Sequence, residues 1–380
     1  MKDVVILSAK RTPIGAFNGA LSSYSAPQLG AKAIAAAVAA AGVKPEQIDE
    51  VIMGNVVGAG IGQAPARQAM IGAGLPVSTG ATTVNKVCGS GMKAIMLAGQ
   101  SIQLGEADIS VAGGMESMSK TPYLLDKARS GYRLGHGQLI DSVIHDGLWD
   151  PYNDKHMGLC GETCAQKEDI SREKQDAYAI ESYEFAQKAL ADGAFSEELA
   201  EVDGITLDEE PGKAKLDKLT KIRSAFMKDG TITAGNASKL NDGAAALVLA
   251  AADKTGGRAP LAMLKGWATF SQEPEMFTTA PAGAIKKLLE KLKWDKDEVD
   301  LYEINEAFAV VALAVIKLAG LDRSKVNVNG GAVALGHPIG ATGARIVATL
   351  VHALRKRGGK KGIAAICLGG GEAVAVGVEV

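Results

Sequence analysis

Four side chains in this 380-residue sequence have the types and settings that nucleophilic and acid–base chemistry needs. Cys88 stands in Asn85-Lys86-Val87-Cys88-Gly89-Ser90-Gly91-Met92-Lys93-Ala94, where a β-type run turns through two glycines into a helical stretch. A thiol at a helix N-terminus faces free backbone N–H groups and the positive end of the dipole, both of which favour thiolate. The setting marks Cys88 as a nucleophile; the bland alternative is a small buried hydrophobe, as most free cysteines are. His337, one of five histidines, stands in Gly330-Gly331-Ala332-Val333-Ala334-Leu335-Gly336-His337-Pro338-Ile339-Gly340. A cysteine paired with a histidine is a general route to thiolate; the alternative is a histidine capping a helix start. Cys367 ends an apolar run just before Gly369-Gly370-Gly371, whose backbone N–H groups can form an oxyanion hole while the thiol serves as acid or base. Asn305 follows another strand and can orient a water or hold a carbonyl oxygen, or serve as a helix N-cap.

The elements that must position these groups alternate between short β-branched runs and alanine-rich helical stretches, the pattern of layered α/β proteins. Strands are expected at Val4 to Ser8, Val51 to Val57, up to Asn85, and at Ile109 to Ala112. Helices are expected at Ala26 to Ala41, Ala64 to Ile71 and Gly89 to Leu104. The last third repeats the order with Leu261 to Phe270, Ala282 to Lys293, Val299 to Ile304, Ala307 to Ala319, Val326 to Asn329, Gly340 to Arg357 and Ile363 to Leu368. Two features align across the halves: a Val-Asn strand end before a glycine-rich turn, and a strand emptying into a glycine cluster followed by Glu116 or Glu372. That is a duplicated α/β unit, and the two matching turns should face one crevice, bringing Cys88 to His337. Between the halves, residues 119 to about 240 lose the rhythm and read as an insertion, with one polar-faced helix from Arg172 to Ala191.

Composition narrows the function further. Lys and Arg total 41 against 43 Asp and Glu, so the chain lacks the basic field on which nucleic-acid binding depends. The apolar runs Ala244 to Ala252 and Phe308 to Ile316 are too short to span a bilayer, and Met1-Lys2-Asp3 leads directly into a strand without a signal-peptide pattern. A cytoplasmic location without membrane partners is expected. Four cysteines read as thiols rather than a disulfide scaffold. Five basic residues, Lys213, Lys215, Lys218, Lys221 and Arg223, crowd one stretch of the insertion; such a run is a solvated face or a holder of phosphates. Glycine is over-represented, at 46 residues, which points to close backbone approaches.

Taken together, Arg11-Thr12-Pro13-Ile14-Gly15, NKVCGSGMKA at 85–94, AGGMESMS at 112–119, GNASKLNDGAAA at 235–246, NEAFA at 305–309, GGAVALGHPIGATGAR at 330–345 and CLGGGE at 367–372 give a specific pattern over the whole chain. The sequence resembles the thiolases, and among them the acetyl-CoA acetyltransferase branch. The resemblance implies an α/β/α/β/α layered fold. Residues 1–118 with 241–260 would form the N-terminal half, 119–240 an inserted loop domain over the active site, and 261–380 the C-terminal half. It implies reversible Claisen condensation of two acetyl-CoA to acetoacetyl-CoA and free coenzyme A through an acetyl-cysteine. No permanent cofactor or metal is expected, and the assembly would be a homotetramer or dimer.

In that reading Cys88 takes the acyl group, His337 promotes its ionisation and Cys367 moves the α-proton. Asn305, through a water, and His337 hold one thioester oxygen; the backbone N–H groups of Cys88 and Gly369 hold the other. Ser238 would meet the pantetheine arm, and His156 and Met157 the acyl pocket. Leu148, Arg223, Phe226, Ala234, Ala307 and Phe308 would complete the coenzyme A and substrate contacts. The alternatives are a degradative 3-ketoacyl-CoA thiolase for longer chains, a non-catalytic acyl-CoA binding protein, and an acyl-carrier condensing enzyme, which typically has histidines where Asn305 and Cys367 stand. Three departures mark this chain: Lys239 where the family carries glycine, Ala373 near another usual glycine, and Phe277-Thr278-Thr279-Ala280 in place of Met-Gly-Thr-Gly. His156, Cys160 and Cys164 share a helical spacing that suits a metal, but no fourth ligand accompanies them.

Overall fold

The computed structural model describes residues 1–380. In the first half the chain runs β1 (Val4–Arg11), α1 (Ala26–Ala41), β2 (Glu50–Gly54), α2 (Pro65–Gly72), β3 (Gly80–Val84), α3 (Ser90–Leu104) and β4 (Ile109–Ser117). The middle segment carries α4 (Met157–Lys167) and α5 (Arg172–Ala191). Then follow β5 (Asn241–Ala251), β6 (Ala262–Ser271), α6 (Ala280–Leu292), β7 (Leu301–Ile304), α7 (Ala309–Ala319), α8 (Ile339–Arg357), β8 (Lys361–Leu368) and β9 (Glu372–Glu379). Local chemistry sets several boundaries. Ser25 and Gln28 form a capping box at the start of α1, and Gly42 ends that helix in the left-handed region at φ 63°.

The main sheet runs β7-β8-β9-β6-β1-β5-β4-β2-β3, with the two-residue strand Gly15–Ala16 beside β5. It consists of two related halves. In each, parallel strands lie outermost and two antiparallel strands lie nearest the middle. The halves join where β1 pairs with β6, at Val5 with Met263 and Ile6 with Ala262.

Alternation along the strands separates the layers. Val4 and Ile6 enter a central core with Leu247, Leu249, Ile366, Val374 and Val376. Their neighbours Val5 and Leu7 join Ala246 and Val248 in an outer core under α1 and α2. A second outer core gathers Ile304, Ile363 and Ala365 beneath α6 and α7. Helices α3 and α8 lie between the half-sheets and touch strands of both, giving five layers ordered α/β/α/β/α. Of the 19 residues of α8, 15 are buried, so it is a core helix on every side.

The structure alters several local expectations. Gly113 and Gly114 do not leave the strand; they lie within β4, paired with Ala246 and Ala245. A Cβ on Gly114 would come 2.0 Å from the Gly340 carbonyl oxygen, so glycine is there to admit α8. Gly369, Gly370 and Gly371 instead make the hairpin loop from β8 to β9, with Gly370 and Gly371 at positive φ. Val326 touches Tyr302 as an isolated bridge rather than forming a strand. In the middle segment, α5 packs on α7 and on the short helix Ala332–Leu335 that precedes His337.

Candidate active site

The chain reaches Cys88 through a strained turn. Val87 adopts φ 45°, a left-handed conformation that a β-branched residue rarely accepts. The turn is tied by Val87 N–H donating to Asn85 Oδ1 at 2.9 Å and Ser90 Oγ donating to the Val87 carbonyl at 2.6 Å. Helix α3 then begins at Ser90 and meets the first turn of α8 through small residues. A Cβ on Gly91 would lie 2.9 Å from the Ala344 nitrogen, and one on Gly343 2.5 Å from the Met92 nitrogen. These near-contacts of main chain bring the two glycine-rich turns to one crevice. Cys88 rests on a small cluster of Val56, Val57, Met118, Val143 and Ile339, the last only two residues from His337.

The backbone N–H groups of Cys88 and Gly369 point at the Cys88 sulfur and favour its ionised form. Burial outweighs them and pushes the thiol up to about 12, with the negative charge of Glu116 adding to the rise. The N–H groups at the helix start favour thiolate, and desolvation opposes them. The dipole's contribution is local and small, whereas desolvation acts on the whole charge. Cys367 is buried beside it, and both burial and the Cys88 sulfur hold its thiol well above the usual range.

His337 is buried, and desolvation together with the Arg345 charge pulls its pKa down to about 3. Its tautomer follows from its neighbour. Thr342 Oγ1 lies 2.9 Å from the Pro338 carbonyl and 2.6 Å from His337 Nδ1; with its hydrogen on that carbonyl it accepts from Nδ1–H. In that tautomer Nδ1 carries the proton, and Nε2 keeps the lone pair. Asn305 Nδ2 lies 3.5 Å from that Nε2, while Asn305 Oδ1 is buried with no protein partner. Helix α7 begins at Ala309 after Phe308, which removes the N-cap reading of Asn305.

Beside His337 opens a cleft of about 570 Å³. Its walls include Leu148, His156, Phe226, Ala234, Ser238 and Phe308, six of the nine residues expected to meet the substrate. The other three are near. Ala307 accepts a hydrogen bond from Ser238 N–H, Met157 packs towards Gly369, and Arg223 lines an adjoining depression with Phe226 and Ala234. His156 stacks on Phe226 at 4.7 Å and takes a hydrogen bond from Gly158 N–H on Nδ1. It caps α4 instead of sharing a face with Cys160 and Cys164, so that metal spacing has no counterpart in space. The basic stretch is exposed, and of its residues Lys213 borders the cleft, where it pairs with Glu209 at 2.6 Å.

Comparison with known proteins matches residues 4–253 to the thiolase N-terminal domain and residues 258–380 to the thiolase C-terminal domain. The chain belongs to the thiolase family. This thiolase is 53% identical to acetyl-CoA acetyltransferase 2 of Arabidopsis thaliana over 100% of the chain and 97% of that protein. It is 50% identical to the acetyl-CoA acetyltransferase of Cupriavidus necator, with both chains covered in full. Among solved structures it superposes on Acat5 thiolase of Ascaris suum in complex with coenzyme A with a TM-score of 0.96, at 47% identity and full coverage of both chains. The Bacillus anthracis acetyl-CoA acetyltransferase gives a TM-score of 0.97 at 44% identity, covering 100% of this chain and 99% of that one.

Sequence reasoning about this thiolase missed three groups that shape the site. Thr342 sets the His337 tautomer and has no distinguishing neighbour in sequence. Glu116 sits inside a quoted motif, but nothing local shows that its carboxylate is buried. Lys239 stands out in the sequence only as a departure; its ammonium donates to the Ala237 carbonyl at 2.8 Å, lies over the Tyr183 ring and borders the cleft.

Proposed function

We propose that this thiolase condenses two acetyl-CoA reversibly to acetoacetyl-CoA and coenzyme A, with Cys88, His337, Cys367 and Asn305 as its catalytic residues. The observation that carries the assignment is the His337 tautomer. In this reading an unprotonated Nε2 turned towards Cys88 is a base able to accept the thiol proton as sulfur attacks the first thioester. The N–H groups of Cys88 and Gly369 hold the oxygen of the resulting acetyl-cysteine. Cys367 gives its proton to the departing coenzyme A and, now a thiolate, takes one from the methyl of the second acetyl-CoA. The enolate oxygen is held by His337 Nε2–H and by a water on Asn305, whose buried Oδ1 has no protein partner. Attack on the acetyl-cysteine releases Cys88, which recovers its proton from His337.

Leu148, His156, Met157, Phe226, Phe308 and Ala307 form the acyl and pantetheine walls in this reading, Ser238 and Ala234 meet the pantetheine arm, and Arg223 with the exposed lysines receives the phosphates. The division into residues 1–118 with 241–260, 119–240 and 261–380 is retained, supported by the two half-sheets and by α5 packing beside the cleft. A cytoplasmic dimer or tetramer fits the exposed edge strand β3 and the exposed Leu125, Leu134 and Leu139. No helix is long and apolar enough to cross a membrane.

The test is Cys88→Ala, which should abolish thiolysis of acetoacetyl-CoA; near-normal turnover would refute the reading. Cys367→Ala should lose condensation more severely than acetyl exchange between Cys88 and coenzyme A, and equal loss would remove Cys367 from its role. Thioesters of four to sixteen acyl carbons separate this activity from a longer-chain 3-ketoacyl-CoA thiolase.

A further inference from the structure

Glu116 closes β4 beneath the crevice, fully buried, and its carboxylate is surrounded by donors. Oε1 accepts from Asn55 Nδ2 at 2.8 Å and from Val57 N–H at 3.3 Å. Oε2 accepts from Val56 N–H at 3.0 Å and from Gly340 N–H at 3.0 Å. A carboxylic acid would turn its own hydrogen against one of these donors, so the arrangement selects the ionised form even though burial pushes the group up to about 7.

Two arms leave this carboxylate. One runs through Gly340 in the first turn of α8, the turn whose Thr342 holds His337 Nδ1. A carboxylate at a helix N-terminus is also favoured by the dipole. The other runs through Val56, whose carbonyl accepts from Asn85 Nδ2 at 3.3 Å; Asn85 Oδ1 in turn fixes Val87 N–H, next to Cys88. Each arm comes from a different half of the chain. We propose that Glu116 is the positioning residue that sets the spacing of Cys88 and His337, bracing the nucleophile turn of one half against the base-bearing helix of the other. This rests on the roles given above to Cys88 and His337.

The groups acting on Cys88 are Glu116 from β4, Cys367 from β8 and the Gly369 N–H. Glu116→Gln keeps the volume but sets a donor among four donors and removes the negative charge. It should lower kcat for acetoacetyl-CoA thiolysis roughly 10- to 100-fold with KM within about twofold, the cost of a misplaced reacting pair. At the same time the pH profile for alkylation of Cys88 by iodoacetamide should shift to lower pH, because the negative charge that adds to the burial-driven rise is gone. A variant that is slower in turnover yet more readily alkylated is the signature; a merely structural lesion would slow turnover without that shift. Wild-type kcat, or an unshifted alkylation profile, overturns the proposal. Should Glu116→Gln fail to fold, Asn85→Ala at the exposed turn cuts the same arm downstream, and unchanged kcat there overturns it equally. Cys88→Ala run in parallel keeps the two readings apart. An active Cys88→Ala sinks the nucleophile assignment, whereas an inactive one beside a normal Glu116→Gln sinks only the role of Glu116.

Discussion

Gly91 in the first turn of α3 and Gly340 in the first turn of α8 approach so closely that a Cβ on Gly91 would stand 3.0 Å from the Gly340 carbonyl oxygen. One residue belongs to the nucleophile's helix and the other to the base's helix, so main-chain contact limits how closely the two helices approach, and the Glu116 brace works within that limit.

Gly91→Ala should therefore be costly out of proportion to one methyl group. The added carbon meets backbone at Ala344 N and Gly340 O, which cannot rotate away. Stability should fall by about 1–3 kcal/mol in urea titrations, and kcat by roughly tenfold or more as the two turns separate.

The ionisation of Cys88 gives a second check. With the thiol at about 12 and His337 at about 3, the resting pair is neutral thiol and neutral imidazole, not an ion pair. The thiolate fraction then rises about tenfold per pH unit through neutrality, so log alkylation rate should climb with a slope near ~1 between pH 7 and 9. A plateau in that range would reveal a preformed thiolate and refute the neutral pair.

How much of this was legible beforehand differs from residue to residue. Cys88, His337, Cys367 and Asn305 could be found because their types are rare and their glycine-rich settings are local. Thr342 and Glu116 could not, since what distinguishes each is a partner brought by the fold, Pro338 and His337 in one case and Gly340 in the other. The ionisation of Cys88 is only half legible for the same reason: a helix start is visible in sequence, while desolvation is a property of packing. Strands β5 and β9 escaped notice because both their faces are buried, leaving no alternation to read.

Arg11 joins β1 to the middle segment and offers a third prediction. Its guanidinium is fully buried and holds Glu198 at 2.5 Å and Asp208 at 2.7 Å. Arg11→Met leaves both carboxylates in the interior without their cation. The expected loss is about 3–5 kcal/mol at neutral pH, measured by chemical denaturation. Lowering the pH should recover part of it as the abandoned carboxylates take up protons.

Lys239 predicts the opposite sign. Burial lowers its ammonium from 10.5 to about 8, despite the neighbouring Glu210 and Glu306. The folded state thus binds fewer protons than the unfolded one between those values. The penalty is complete below about 8 and is relieved as pH rises towards the unfolded value. Lys239→Met should stabilise the protein by up to about 3 kcal/mol at pH 7, with the gain shrinking by pH 10. A destabilised variant at pH 7 would show that the contacts to Ala237 and Tyr183 outweigh desolvation.

The seam of the sheet bears on how the chain is made. Strand β1 leaves the ribosome well before its partners β5 and β6, which begin at Asn241 and Ala262. At ordinary rates of synthesis it waits roughly 10–50 s before either exists. During that interval Val4, Val5, Ile6 and Leu7 form an apolar strand with both edges open, a ready template for mispairing between nascent chains. Expression yield should then depend on how fast the ribosome reaches β5 and β6, and on whatever shields β1 until it does.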